Sequence, residues 1–188
     1  MARTIDEFYA KNRAAWRQWL LSNHQQQQAV WLILDKGKHR KISWGDVVQE
    51  ALCFGWIDST AGSVSATQSK LYVTKRKPTS AWSRINKDHV EKLIATGQMQ
   101  PAGMAAVQAA KQNGAWDALN KSDNLEKPPE LVAALAKNKL AAQNFEQFPD
   151  SAKRGILAWL YSPKRPETLK KRVAETVALA AQNIRAHQ

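Results

Sequence analysis

The stretch KLYVTKRKPTSAWSRIN, residues 70–86, gathers the side chains of this 188-residue sequence best suited to holding an anion. Arg76 and Lys77 stand at the end of a β-like run, and Ser80, Ser83 and Asn86 are short polar residues of the kind that open a helix, with Trp82 between them. A guanidinium grips phosphate or carboxylate through parallel N–H groups. A helix start adds free amides and the positive end of aligned peptide dipoles. Trp82 would wall such a site or stack on a planar ligand. Upstream, GWIDS places Trp56 and Asp58 at a probable strand, where the carboxylate is able to pair with Arg76 or orient a ligand. The expected anion site is therefore Arg76, Lys77, Ser80, Trp82, Ser83, Asn86, Trp56 and Asp58. A plainer account uses the same residues: Ser80 and Asn86 cap helices, Trp82 fills the core, Asp58 forms a structural ion pair, and the cations are solvated.

A second basic cluster lies in SPKRPETLKKR. Lys164 and Arg165 precede a helix, Glu167 and Thr168 fall in its first turn, and Lys170, Lys171 and Arg172 follow. Glu167 suits the helix dipole and forms an i,i+4 pair with Lys171. The surplus cations are a solvated face or a surface for phosphate, lipid headgroups or an acidic protein. Charge favours such partners throughout, with 28 Lys+Arg against 16 Asp+Glu and a net charge of +12.

Other chemistries have no signature. His24, His39, His89 and His187 are scattered, with no HxxxH or CxxC spacing, so no metal is expected. P-loop, GxGxxG and GxSxG motifs are absent and no cofactor is called for; no nucleophile comes with an evident base. Cys53, within ALCFGWI, reads as a small buried hydrophobe, and a lone cysteine suits a reducing compartment. No run approaches the ~20 apolar residues of a membrane helix. With no secretory signal pattern, the expectation is a soluble cytoplasmic protein without a membrane span.

The elements that would position these residues are legible from periodicity and caps. IDEFYA is ambiguous between a strand and a helical turn. Asn12 caps RAAWRQWLLSNH, where Trp16, Trp19 and Leu20 repeat at helical spacing; Thr4 and Glu7 offer an alternative capping box. AVWLILDK reads as a buried strand ended by Gly37. Ser43 and Asp46 form a capping box for a helix closed by Gly55. WIDS is a short strand, AGSVSATQS a loop and KLYVTK a further strand. Asn86 then caps a helix stopped by Gly97, and an alanine-rich helix ends at Gly114. After Pro128 come two or three helices punctuated by Pro149, Pro163 and Pro166. The fold class expected is α+β: a small N-terminal β-sheet with one or two packed helices, followed by an all-helical C-terminal half. The expected organisation is 1–78 as sheet plus helices, 79–116 as their helical continuation, 117–130 as a linker and 131–188 as a C-terminal helical region.

The combination ALCFGWIDS, KRKPTSAWSRIN, ATGQMQPAGMAAVQAAKQNGAW and SPKRPETLKKR, in that order, resembles the bacteriocin-protection family, also described as YdeI or OmpD-associated. The resemblance runs along nearly the whole chain. It implies a link to tolerance of bacteriocins or antimicrobial peptides, or to envelope stress, and brings no assigned reaction or catalytic residue. Three functions follow as expectations. The first is a non-catalytic cytoplasmic binding protein tied to that tolerance. The second is a nucleic-acid-binding protein using its basic surface. The third is a small-anion sensor or enzyme with a pocket near Arg76, Trp82 and Asp58.

Overall fold

A computed structural model describes residues 5–187, in two compact units, Met1–Asp117 and Ala118–Gln188. Among the described residues the first unit carries the four strands, β1 (Glu7–Tyr9), β2 (Ala29–Asp35), β3 (Trp56–Ser63) and β4 (Gln68–Lys75). They form one sheet in the order β1-β2-β4-β3. β1 runs parallel to β2, which requires a crossover connection, and helix α1 (Arg13–Asn23) supplies it. The other pairs are antiparallel. Alternation sets the faces: Val30, Leu32, Leu34, Leu71 and Val73 enter the core, where Trp16 and Leu20 of α1 and Leu52 of α2 (Trp44–Cys53) cover them. Asn12 accepts from the Ala15 amide, and Ser43 and Asp46 make a reciprocal capping box, as their spacing predicts. The alternative box with Thr4 lies outside the described residues.

Two local expectations are corrected. β3 continues past WIDS to Ser63, because Ala61–Ser63 pair with Ser69–Leu71 after a register shift between Asp58 and Ala61. Helix α3 (Arg84–Ala95) starts one turn earlier than expected: Ser83 is its cap and accepts from the Asn86 amide, so Asn86 lies inside the first turn.

Two interactions tie the helices of this unit together. Glu50 of α2 is buried, and its carboxylate receives Arg13 and Arg17 of α1, both at 2.6 Å. Arg13 also reaches Asp46 at 2.7 Å, and Arg17 donates to the Gln98 carbonyl at 3.0 Å. Helix α4 (Pro101–Gln112) packs its backbone against the end of α2, where the Gln100 amide donates to the Cys53 carbonyl at 3.0 Å. A Cβ on Gly103 would lie 2.3 Å from that carbonyl oxygen, so only glycine permits the approach.

The second unit is helical: α5 (Asn120–Asp123), α6 (Pro129–Ala136), α7 (Lys139–Gln147), α8 (Asp150–Tyr161) and α9 (Pro166–Ala181). Its core joins Leu131, Leu135, Phe145, Ile156, Leu157, Leu160 and Val173. The 117–130 segment, read as a linker, carries α5 with Ser122 buried.

Gly103→Ala should cost about 2 kcal/mol in urea unfolding, since the methyl meets backbone rather than a movable side chain. Gly155→Ala, in α8 with open space around it, should instead gain about 0.5–1 kcal/mol from helix propensity.

Candidate functional site

The end of β4 delivers Arg76 onto Trp82. The Arg76 amide donates to the Gly55 carbonyl at 2.9 Å, which fixes the backbone where it leaves the sheet. Its guanidinium carbon then lies over the Trp82 ring, 3.7 Å from the centroid, and Nη2 donates to the Ala81 carbonyl. Trp82 is buried and meets Trp116 at 5.1 Å, so the platform is anchored in the core. The rest of the guanidinium is not satisfied: Nε and Nη1 are screened from solvent and have no hydrogen-bond partner. The neighbouring Trp56, fully buried, has an unpartnered Nε1 as well. Burial in this apolar surrounding pushes the Arg76 pKa down to about 10, and the attraction of Asp58 only partly opposes that shift.

Arg76 and Trp56 also line a cavity of about 360 Å³. Phe54 and His24 form another part of its wall, their rings 5.1 Å apart. His24 Nδ1 lies 2.8 Å from the Leu20 carbonyl; a carbonyl only accepts, so Nδ1 carries the proton and Nε2 is the nitrogen left for another partner. Ala102 and Ala106 of α4 close a further side, and Lys75 adds a second cation. The described lining thus holds two cations and no carboxylate. A volume above ~300 Å³ suits a small organic ligand.

The expected site residues separate. Arg76, Trp82 and Trp56 come together. Asp58 is held elsewhere: its carboxylate accepts from the Trp44 indole at 2.9 Å and reaches Arg76 only through the electrostatic field, so the ion pair expected across the strands gives way to this hydrogen bond. Ser83 spends its hydroxyl on the α3 cap, taking one of the amides that the helix start is expected to offer a ligand. The Ser80 amide donates to the Lys77 carbonyl in a turn, and Lys77 is exposed. Asn86 follows Ser83 within α3. In the second cluster Lys164, Arg165, Lys170 and Lys171 are exposed. Arg172 instead folds back over the Trp159 ring at 4.7 Å and donates to the Trp159 carbonyl and the Ser162 hydroxyl. His24, Phe54, Ala102 and Ala106 were not singled out by sequence; the small residues flanking Gly103 were the available signal.

Among the described residues no group of three or more His, Cys, Asp or Glu is placed to hold a metal ion, and no helix is long and apolar enough to cross a membrane. A family model described as a domain of unknown function, DUF8412, matches residues 8–106, just over half of the chain. The chain belongs to that family. The bacteriocin-protection, YdeI or OmpD-associated family matches residues 124–183, within the second unit. The resemblance read from the sequence is thereby shown for that span, while the front-half motifs ALCFGWIDS and KRKPTSAWSRIN fall within DUF8412. No curated protein and no solved structure gives a significant match.

Because the folded chain binds the Arg76 proton less tightly than the unfolded chain, the charged guanidinium destabilises the fold at neutral pH. That cost is relieved only as pH rises past about 10. Arg76→Met, which keeps the contact with Trp82 and removes the charge, should raise stability by about 1 kcal/mol in urea unfolding at pH 7.

Proposed function

We propose that the chain is a non-catalytic binding protein whose first unit takes a small organic anion into the cavity beside Arg76, and that this binding serves tolerance of bacteriocins or antimicrobial peptides. The observation that carries the reading is the unsatisfied guanidinium. A buried donor without a partner costs about 1–3 kcal/mol, and two such nitrogens belong to a cation whose side chain lines a cavity with no carboxylate in its described lining. A phosphate or carboxylate entering beside Lys75 supplies the missing acceptors, and a rotation of the Arg76 side chain off Trp82 brings Nε and Nη1 to it. His24 Nε2 and the faces of Phe54 and Trp56 then contact the organic part.

The family match of the second unit supports the physiological half of the proposal. A chain of net charge +12 repels cationic peptides, so the role proposed is indirect, through a bound metabolite or an acidic protein partner, rather than sequestration. The exposed Lys164, Arg165, Lys170 and Lys171 are the proposed contact for such a partner. We place the protein in the cytoplasm, in keeping with its single buried cysteine.

A thermal-shift panel of organic phosphates, carboxylates and sulfonates tests the pocket. A true ligand at ~100 times its Kd adds about 2.7 kcal/mol of stability. That gain should vanish in Arg76→Met and survive at weaker affinity in Arg76→Lys. No stabilising compound, or an equal gain in Arg76→Met, would refute the proposal.

A further inference from the structure

The opposite face of the first unit's sheet carries a separate arrangement. Helices α1 and α2 cover the face that presents Leu32, Leu71 and Val73. Period-two alternation sends Trp31 and Ile33 of β2, and Lys70 and Tyr72 of β4, to the other face. Trp31 and Tyr72 are direct cross-strand partners, with rings 5.1 Å apart and inclined at 63° in an edge-on contact. Both are only half-buried, although large aromatic rings on a covered face would be enclosed. Ile33 is 8% exposed yet belongs to neither core cluster; it is opposite Lys70 in register and forms the floor of this patch. The Lys70 ammonium stands over the Trp31 ring at 4.6 Å.

Charge on this face is unevenly used. Asp35 already accepts from the Tyr9 hydroxyl and from Gln68, and Glu7 lies on the short edge strand. The cations that follow β2, Lys38, Arg40 and Lys41, are exposed. A sheet face with paired rings, an ammonium over one of them and cations following the strand matches the needs of one polymer. Unpaired bases stack on aromatic faces and their phosphates meet lysine and arginine. A duplex hides its base faces, and a lipid surface has none to offer.

We propose that this outer sheet face binds single-stranded nucleic acid, stacking bases on Trp31 and Tyr72 and holding phosphates with Lys70 and the 38–41 cations. The site shares no residue with the Arg76 cavity and stands whether or not that cavity takes an anion.

Fluorescence anisotropy of end-labelled single-stranded DNA and RNA oligonucleotides with the full chain, over a salt series, tests it. Binding should weaken steeply with salt. Tyr72→Phe should keep wild-type affinity, while Tyr72→Leu and Trp31→Leu each weaken binding about tenfold. Lys70→Gln should lower the salt slope by about one. Circular dichroism checks that each variant is folded. The proposal is overturned by no binding at low salt, by equal affinity for duplex, or by folded leucine variants that bind as tightly as wild type. Should the leucine variants unfold, an unchanged salt slope in Lys70→Gln overturns it. Capture on anionic phospholipid vesicles without oligonucleotide binding would assign the face to a membrane and likewise overturn it.

Discussion

The first unit is organised by the close approach of helix α4 to the turn between α2 and β3. Gly103 allows the α4 backbone to rest on the Cys53 carbonyl, and Gly55, at φ +72°, makes the turn while lying against Ala102. The same Gly55 offers its carbonyl to the Arg76 amide. One backbone junction thus sets three walls of the cavity: the α4 alanines, the Phe54–Trp56 segment and the exit of β4. A bulkier residue at either glycine would push these walls apart or into the cavity, so the geometry of the site follows from packing of main chain against main chain.

Two treatments of arginine in one small unit give the site its character. Arg13 and Arg17 share the buried Glu50 and spend further donors on Asp46 and the Gln98 carbonyl, which offsets the desolvation of the carboxylate and locks α1 to α2. Arg76 receives no such partner. The Trp82 ring and one carbonyl leave two guanidinium nitrogens, Nε and Nη1, unmatched. Native interiors leave few polar groups in this state, and those that persist cluster where a ligand or strain explains them. The contrast between a satisfied pair and an unsatisfied single cation separates scaffold from site.

Much of the scaffold is legible along the chain because it is written in local chemistry. Asn12, the Ser43–Asp46 pair and the alternation of AVWLILD and KLYVT each specify their element through neighbours a few residues away. The start of α3 is ambiguous along the chain because Ser83 and Asn86 are both good caps at spacing three, and only the fold selects Ser83. The Arg76–Trp82 stack was foreshadowed by a short sequence separation across Pro78. The Glu50 network, the Gly103 contact and the entry of His24 into the cavity are tertiary, joining residues whose types are ordinary for their helices. Asp58 illustrates the same limit: its partner Trp44 is fourteen residues away on another element, and nothing near it in sequence pointed there. The family resemblance, carried by motifs in both halves, resolves into two matches, one for each unit.

The proposed site requires the Arg76 guanidinium to be held charged and short of acceptors until an anion arrives. Nitrogen-15 NMR of the arginine Nε–H groups reads this directly. One Nε–H resonance, lost in Arg76→Met, should exchange slowly with solvent and move downfield in a saturable titration with a stabilising anion. A resonance that exchanges rapidly, or that stays unmoved while other signals report binding, would contradict it.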